Sequence, residues 1–313
     1  MPCTSHLPAS VVVSTLGSSP SLIRCLESLQ RQKCEATEIL VVVSHEDDVE
    51  SLRSLEPFSI RLLCEKRPGL GVARNRGIRH ARGDFVVFID DDARADPDWL
   101  HEMISPFSDT RVACVTGSVI PCWANYEPSE AEKSYYLNDR ARSSWVLDPS
   151  DAQWFSKAFG KGVGYGCNLA FRKNFLLNYK LFPEEMGAGS AIGGTEEFYM
   201  FVQVLKLGFR IAHNPNARVT HFFEKDRQSQ KLHLRALYTA SVAFTLKLML
   251  EEPGLRWSLL KQVARAVRRR LSDKDGPGPE HPLLSPLERF AAYLQGFPTF
   301  IRSRRHRSKE QAL

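Results

Sequence analysis

The chain has 313 residues, of which 43% are hydrophobic and 25% are charged, and this composition excludes a disordered or fibrous protein. Its formal net charge of +6 lies mainly in residues 225–313, which carry 18 Lys and Arg residues against 8 Asp and Glu residues. The seven cysteines include no C-x-x-C pair, which argues against a disulfide framework or a zinc knuckle and favours a reducing, cytoplasmic location.

Short β-branched runs alternate with helical patterns over the first hundred residues, which is typical of a parallel sheet with helical crossovers. Residues 11–15 are predicted to form the first strand. Ser18 or Ser19 should cap the helix that follows, with Pro20 in its first turn. The further elements predicted here are strands at 38–43, 60–64, 85–89 and 112–119 and a helix at 72–81 that stops at a left-handed Gly83.

Polar residues follow three of these strands. Thr15, Ser44 and Asp90 each stand where a strand of the parallel sheet should end. Because open α/β sheets bind ligands at the carboxyl ends of their strands, we expect these residues to line one crevice.

Residues 121–161 form an irregular, aromatic stretch that we interpret as an excursion beside this crevice. Its rings could stack on a ring of a bound ligand, although packing is the commoner role of such residues. The aromatic residues are Trp123, Tyr126, Tyr135, Tyr136, Trp145 and Trp154.

No signal peptide or transmembrane helix is predicted. The apolar run at 11–13 is too short for a signal peptide. The most apolar late segment, residues 236–250, contains Lys247 and is shorter than the roughly 20 residues that a spanning helix needs.

Asp90, Asp91 and Asp92 follow the apolar strand at 85–89 directly. Adjacent carboxylates repel one another unless a cation intervenes, and Mg²⁺ or Mn²⁺ prefers such oxygen ligands together with substrate phosphates. In an extended segment Asp90 and Asp92 face the same side, whereas Asp91 faces away. A solvated acidic loop is the alternative interpretation, since D-x-D alone is a weak motif.

Four blocks extend this pattern. They read V-V-V-S-T at 11–15, R-P-G-L-G-V-A-R-N-R-G-I-R-H-A-R-G-D-F-V-V-F-I-D-D-D at 67–92, G-V-G-Y-G-C-N-L-A-F-R at 162–172 and G-G-T-E-E-F-Y-M-F-V-Q-V-L-K-L-G-F-R-I at 193–211. Together, over residues 10–222, they resemble the family 2 glycosyltransferases of the GT-A fold. The resemblance implies an α/β fold with a Rossmann-like, mostly parallel sheet flanked by helices.

The same resemblance implies a nucleotide-diphospho-sugar donor, an acceptor hydroxyl, Mg²⁺ or Mn²⁺ as cofactor, and inversion at the anomeric carbon. Asp92 and His221 are the expected metal ligands. The expected donor-binding residues are Thr15, Ser44, Arg67, Arg74, Asn75, Asp90, Asp91, Gly166, Asn168 and Gly194.

The family's G-G-x-E-D motif corresponds to residues 193–197, in which Glu197 replaces the usual Asp. An acceptor hydroxyl is a poor nucleophile, so a carboxylate within hydrogen-bond reach must take its proton. We expect Glu197 in this role, with Glu196 as a rival, and Thr195 as the cap of the following helix. Acidic residues that only stabilise the first turn of a helix are the alternative.

Two departures from known patterns matter. The second strand ends in Val43-Ser44-His45-Glu46-Asp47 where the family commonly has Asp directly, which leaves the contact to the nucleobase open. The glycine-rich run at 160–166 lacks the G-K-[ST] ending of a phosphate loop, which excludes nucleoside triphosphate hydrolysis.

Residues 225–313 are predicted to form a helical, basic extension after a catalytic domain at 1–224. Arg265, Arg268, Arg269 and Arg270 interleave with apolar residues, and Arg302, Arg304, Arg305 and Arg307 follow Phe297, Phe300 and Ile301. This pattern suits peripheral contact with the inner face of a membrane. An acidic protein or a solvated helix face are the alternatives, and nucleic acid is the less expected partner.

The sequence therefore predicts a metal-dependent inverting glycosyltransferase. Two other functions remain open at this stage. One is a sugar-nucleotide pyrophosphorylase, although the basic glycine-rich loop expected near Gly17 is absent. The other is a binding or scaffold protein that keeps the fold without turnover.

Overall fold

The computed structural model describes residues 6–44, 52, 58–123, 125–130, 132–133, 142–159, 163–223, 226–271 and 283–310. Within them, nine strands form one sheet flanked by helices. The strands are β1 (His6–Thr15), β2 (Glu35–Val43), β3 (Ile60–Cys64), β4 (Phe85–Asp90), β5 (Ala93–Ala95), β6 (Val112–Trp123), β7 (Trp145–Leu147), β8 (Asn168–Arg172) and β9 (Arg210–Phe223). The helices are α1 (Pro20–Gln30), α2 (Leu70–His80), α3 (Trp99–Ile104), α4 (Trp154–Ala158), α5 (Lys173–Asn178), α6 (Glu196–Lys206), α7 (Arg227–Glu251), α8 (Arg256–Leu271) and α9 (Pro286–Glu310).

The sheet is parallel in its first half and mixed in its second. Its order is β3-β2-β1-β4-β8-β6-β9-β5, with β7 paired to β9. The first four strands pair in parallel, whereas β8 is antiparallel to both β4 and β6. The predicted α/β fold is confirmed, and the sheet is parallel throughout its first half and again between β6 and β9.

The start of the fold follows local sequence rules. Ser19 accepts a hydrogen bond from the Leu22 amide at 3.1 Å and Pro20 begins α1, as predicted. Pairing of Ser14 with Asp90 and of Thr15 with Val43 brings the ends of β1, β2 and β4 to one edge. The core beneath this edge consists of the aliphatic residues of these strands packed against α1 and α3.

Gly83 does not have the predicted left-handed conformation. Helix α2 ends at His80, and a β-carbon at position 83 would lie 2.6 Å from both the Ala9 carbonyl carbon and the Ser10 amide nitrogen. The Ser10 hydroxyl instead accepts hydrogen bonds from the amides of Arg82 and Gly83. Glycine is needed here because two backbones approach closely, not because of a turn.

The chain divides into two compact units. The first contains residues 1–124, 138–184 and 196–223, and the second contains residues 125–137, 185–195 and 224–313. The sheet lies entirely in the first unit. The predicted division at 224/225 is close to one of these boundaries, whereas the assignment of residues 125–137 and 185–195 to the second unit has no counterpart in the sequence-based prediction.

The second unit is mainly helical in its described residues. Asp226 caps α7 by accepting a hydrogen bond from the Ser229 amide at 2.7 Å. Helix α9 packs on α7 through a hydrogen bond from the Thr239 hydroxyl to the Ala292 carbonyl, and α7 approaches Gly296 closely. None of the described helices combines the length and the apolar character that crossing a membrane requires.

Of the cysteines that the structure describes, all but one are free thiols. Cys34 is disulfide-bonded, which differs from the expectation of reduced cysteines throughout. The other described cysteines are free: Cys25, Cys64, Cys114, Cys122 and Cys167.

Candidate active site

The three aspartates at the end of β4 have three different partners. Asp90 accepts a hydrogen bond from Arg74, Asp91 accepts one from Thr15, and Asp92 contacts His221. Asp91 therefore has a different partner from the other two, but Asp91 and Asp92 lie in a turn between β4 and β5 rather than in the extended segment that the prediction assumed. Desolvation raises the pKa of Asp90, and it raises the pKa of Asp91 to about 6, with a further contribution from the neighbouring carboxylates.

Arg74 is the buried cation of this site. Its side chain is only 2% exposed and donates to Glu196 Oε1 at 2.7 Å, to Asp90 Oδ1 at 3.3 Å and to the Gly166 carbonyl at 2.9 Å. The guanidinium carbon also lies 5.7 Å from the ring centre of Phe88 and 5.4 Å from that of Phe182. A planar guanidinium can satisfy carboxylates in its plane and aromatic rings on its faces at once, so Arg74 is fixed in position.

Glu196 and Glu197 begin α6 but lie in different environments. The Glu196 side chain is 5% exposed and pairs with Arg74, whereas Glu197 is half-buried. Desolvation and the charge of Glu196 raise the pKa of Glu197 to about 8, and the charge of Asp90 acts in the same direction. Glu196 is thus held in an ion pair, whereas the raised pKa of Glu197 lies close to neutral pH.

The pairing of β5 with β9 brings His221 to Asp92. Ala93 stands opposite His221 in this antiparallel ladder, and the Phe222 amide donates to the Asp92 carbonyl at 2.9 Å. His221 Nε2 consequently lies 3.1 Å from Asp92 Oδ1. Burial acts to lower the pKa of His221, but hydrogen bonding to Asp92 and the nearby aspartate charges raise it overall.

The donor set at this edge fits a divalent cation. Ligand atoms of Asp90, Cys167 and His221 all lie within 4.8 Å of one another. His221 Nδ1 is buried and has no hydrogen-bond partner among the described residues, which a ligand would supply. Closely placed carboxylates beside an imidazole are the chemistry that Mg²⁺, Mn²⁺ or Zn²⁺ accepts.

Cys167 was not assigned a role from sequence, although it stands directly before Asn168 in the third block. Burial and the charge of Asp90 keep the pKa of this thiol well above its usual range. Only its position within that block could have indicated its place beside Asp90.

Thr15 lies where predicted. Its hydroxyl contacts Asp91 Oδ2 at 2.6 Å, so the ends of β1 and β4 meet through side chains as well as through strand register. Ser44 follows β2 at the same edge and is half-buried. The departure at His45-Glu46-Asp47 lies outside the described residues.

Gly166 and Asn168 support the packing around Arg74 and β8. A β-carbon at Gly166 would lie 3.0 Å from Arg74 Nη2, so glycine makes room for the guanidinium. Asn168 is fully buried, accepts a hydrogen bond from Trp99 Nε1 at 2.8 Å and donates to the Ser118 and Ala217 carbonyls. The Gly166 carbonyl and the Asn168 side-chain amide are thus engaged by protein groups, and direct contact of either residue with a sugar stays a prediction.

Asn75 and Arg67 are also engaged by protein groups. The buried Asn75 amide exchanges hydrogen bonds with the Phe182 backbone and donates to Glu184 at 3.3 Å. The exposed Arg67 forms ion pairs with Glu65 and Glu184. The structure brings these two residues together through Glu184, and their donor contact stays a prediction.

Two residues before α6 have a positive φ, and the cap expected from the Thr195 side chain stays a prediction. Gly193 has φ 78°, which accords with a tight turn, but Thr195 also has a positive φ of 69°. The Thr195 hydroxyl donates to the Gly194 carbonyl at 2.6 Å. Gly194 itself lies against Leu237 in the second unit, where a β-carbon would come within 2.9 Å of that side chain. A positive φ is uncommon for a β-branched residue, so the backbone is strained here.

The aromatic residues of the excursion pack within the protein where they are described. Trp123 stacks on Phe223, and Trp145 stacks on His213 with ring centres 5.2 Å apart. Trp154 contacts Phe155 edge-on. Tyr135 and Tyr136 lie outside the described residues.

Comparison with known proteins accords with this geometry. Residues 10–179 match the model described as "Glycosyl transferase family 2". A glucosyl-dolichyl phosphate glucuronosyltransferase of Haloferax volcanii is 26% identical over 69% of this chain and 69% of its own length. The putative glycosyltransferase EpsH of Bacillus subtilis is 25% identical over 56% of this chain, which spans half of that relative.

A solved structure supports the fold. The mannosyltransferase PcManGT from Pyrobaculum calidifontis, solved in complex with GDP-Man and Mn²⁺, has a TM-score of 0.51 and 20% identity. The match covers 95% of this chain and 73% of that one. The matched family favours glycosyl transfer over the pyrophosphorylase and scaffold alternatives.

Proposed function

Since this chain belongs to glycosyl transferase family 2 and is a glycosyltransferase, we propose that it moves a sugar from a nucleotide-diphospho-sugar to an acceptor hydroxyl. The proposed transfer depends on a divalent cation and inverts the anomeric carbon. The observation that carries this proposal is the difference between two neighbouring carboxylates. Glu196 pairs with Arg74, whereas Glu197 lies beside it with a pKa raised to about 8.

Glu197 is the proposed general base. The acceptor oxygen forms a bond to the anomeric carbon, the bond from that carbon to the donor diphosphate breaks, and the acceptor proton passes to Glu197. The electron pair of the broken bond leaves with the diphosphate. A base whose pKa lies near the working pH is well matched to this transfer.

Arg74 is proposed to hold Asp90 and Glu196 in position rather than to react. Its contacts to both carboxylates and to the Gly166 carbonyl fix three segments of chain at one point. Asp90 is thereby oriented toward the donor. Small displacements of such groups are costly, because transfer requires near-contact geometry.

Asp92 and His221 are the proposed protein ligands of the cation, with Asp90 and Cys167 adjacent. When bound, Mg²⁺ or Mn²⁺ would offset the negative charge of the departing diphosphate. The complex of PcManGT with GDP-Man and Mn²⁺ supports this pairing of cation and donor.

The test replaces Glu197 by Gln, which keeps the shape of the side chain and removes its basicity. UDP-, GDP- and dTDP-sugars with Mn²⁺ are first screened for an increase in melting temperature, since a ligand of the folded state stabilises it. With the donor so identified, we expect Glu197→Gln to lower transfer by about 10²–10⁴-fold while donor affinity, measured by calorimetry, is retained.

Glu130→Gln is the matched control, because Glu130 is an exposed carboxylate. Asp92→Asn should weaken Mn²⁺-dependent donor binding instead, and EDTA should reproduce that loss in the unaltered protein. Full transfer by Glu197→Gln would refute the assignment of the base. Donor binding that is indifferent to both EDTA and Asp92→Asn would refute the metal site.

A further inference from the structure

Helix α9 exposes a continuous apolar stripe. Its five members are three or four positions apart and therefore lie on one helix face. They are Leu287 (81% exposed), Phe290 (61%), Leu294 (54%), Phe297 (52%) and Ile301 (54%). The stripe is about 20 Å long at the rise of an α-helix.

The opposite face of α9 is already used. Ala292 is fully buried and accepts the hydrogen bond from Thr239 of α7, while Gly296 lies so close to Val242 that a β-carbon would clash. Phe300, which the sequence grouped with Phe297 and Ile301, is also buried. Packing within the second unit therefore explains one face and leaves the other, with its large apolar residues, exposed to solvent.

Positive charge accompanies the stripe. Arg302 and Arg304 are exposed directly after Ile301, and residues 302–310 contain five basic residues against one acidic residue. Helix α8 has six basic residues and no acidic one. Its exposed side chains include Arg265 and Trp257, which is 77% exposed.

We infer that the apolar stripe of α9 docks on an anionic membrane surface, with the helix lying in the plane of the interface. Apolar residues on one helix face enter the headgroup boundary, and basic residues beside them attract anionic lipid. An indole side chain such as Trp257 suits the same boundary. This inference does not rest on the proposed chemistry.

Charge favours a membrane over a second copy of this chain. The spacing also suits a coiled-coil seam, but the stripe spans only about two heptads, where a stable coiled coil usually needs three or more. Pro298 also lies inside the helix, where its ring removes one backbone hydrogen bond and favours a bend. Two parallel copies would further place their basic ends together, whereas an anionic surface neutralises them.

The test measures binding of the full chain to vesicles by flotation. Vesicles of phosphatidylcholine alone are compared with vesicles that contain phosphatidylglycerol as well. We expect Phe290→Asn combined with Phe297→Asn to lower binding to the anionic vesicles about tenfold or more, because two large apolar contacts are lost. Arg302→Gln combined with Arg304→Gln should weaken binding mainly at low salt.

Leu177→Asn combined with Leu207→Asn is the matched control, since both leucines are exposed apolar residues of the first unit. The control should bind vesicles like the unaltered chain, and all variants should keep their melting temperatures. The inference is overturned if the stripe variant binds anionic vesicles normally or if no preference for them exists. It is also overturned if sedimentation in lipid-free buffer reveals a dimer that the stripe variant converts to monomer, because the occupant is then a second copy.

Discussion

Each of the two units buries a cation between two carboxylates, and the surroundings of the two cations differ. Arg74 in the first unit contacts Glu196 and Asp90, a backbone carbonyl and two aromatic rings. Lys247 in the second unit is 4% exposed and pairs with Glu185 and Glu251, the latter one helical turn further along α7.

The difference between Arg74 and Lys247 indicates which buried cation can orient its carboxylate partners. The planar guanidinium fixes directions as well as charge, so Arg74 can orient carboxylates that take part in chemistry. The ammonium of Lys247 acts as a point charge. Glu251 remains about one-third exposed, so water can solvate this carboxylate if the ion pair is lost. We therefore expect the first cluster to matter for folding and activity, and the second for folding alone.

Replacement of Arg74 by Met should have the largest effect. It leaves Glu196 buried without its cation, which we expect to cost about 3–5 kcal/mol of unfolding free energy. Transfer should also fall, because Asp90 and Glu196 lose their common partner. Chemical denaturation measures the first effect, and transfer assayed below the melting temperature measures the second.

Arg74→Lys separates the two effects, since it restores charge without the guanidinium geometry. We expect it to recover part of the stability and little of the activity. If Arg74→Met folded normally and transferred sugar at the original rate, the comparison between the two clusters would lose its basis.

The second prediction concerns pH and applies to the first cluster. Glu197 has a pKa of about 8 in the folded protein, against 4.5 ordinarily. Between these values the unfolded chain has released a proton that the folded chain retains, so stability is lost as pH rises through this window. In this window the free energy of unfolding of Glu197→Gln should rise relative to that of the unaltered protein by up to about 1.4 kcal/mol per pH unit.

The measurement is denaturation of both proteins in EDTA from about pH 5 to about pH 8. Glu130→Gln should follow the unaltered protein at every pH. A constant difference between Glu197→Gln and the unaltered protein would mean that Glu197 is already ionised in the folded state.

Lys247→Met should have the smallest effect. We expect a loss of about 1–2 kcal/mol, between the values typical of exposed and buried pairs, because both of its carboxylates keep some access to water. Transfer per folded molecule should not change. A fall in transfer as large as that of Arg74→Met would show that the clusters are not functionally distinct.

Local rules predicted much of the first unit. The cap at Ser19, the strand at Ile60–Cys64 and the convergence of Thr15 with the aspartates follow from side-chain chemistry and strand periodicity. Features that depend on local side-chain chemistry and strand periodicity can therefore be predicted from the sequence. The contact of Asp92 with His221 was accessible only through the resemblance to a family, because it depends on the pairing of β5 with β9.

The features that local rules did not predict depend on contacts between segments that are distant in the chain. Gly83 and Gly166 were interpreted as turn or ligand positions, but each makes room for another segment of the protein. The positive φ of Thr195 was likewise not predicted from the sequence. The place of Cys167 beside Asp90 was also not predicted, since the two residues are far apart in the chain and meet only in the folded protein.

The close contact at Gly83 limits which residues the chain can tolerate at this position. β1 and β4 are paired from Ala9 and Phe85 at one end to Ser14 and Asp90 at the other. A methyl group added at position 83 would clash with the backbone of Ala9 and Ser10, and we expect the strands to shift to relieve the clash. The aspartates lie about 20 Å away at the other end of the strand, by the usual rise per residue. Because the pairing is continuous, we expect a substitution at this remote position to displace the aspartates as well.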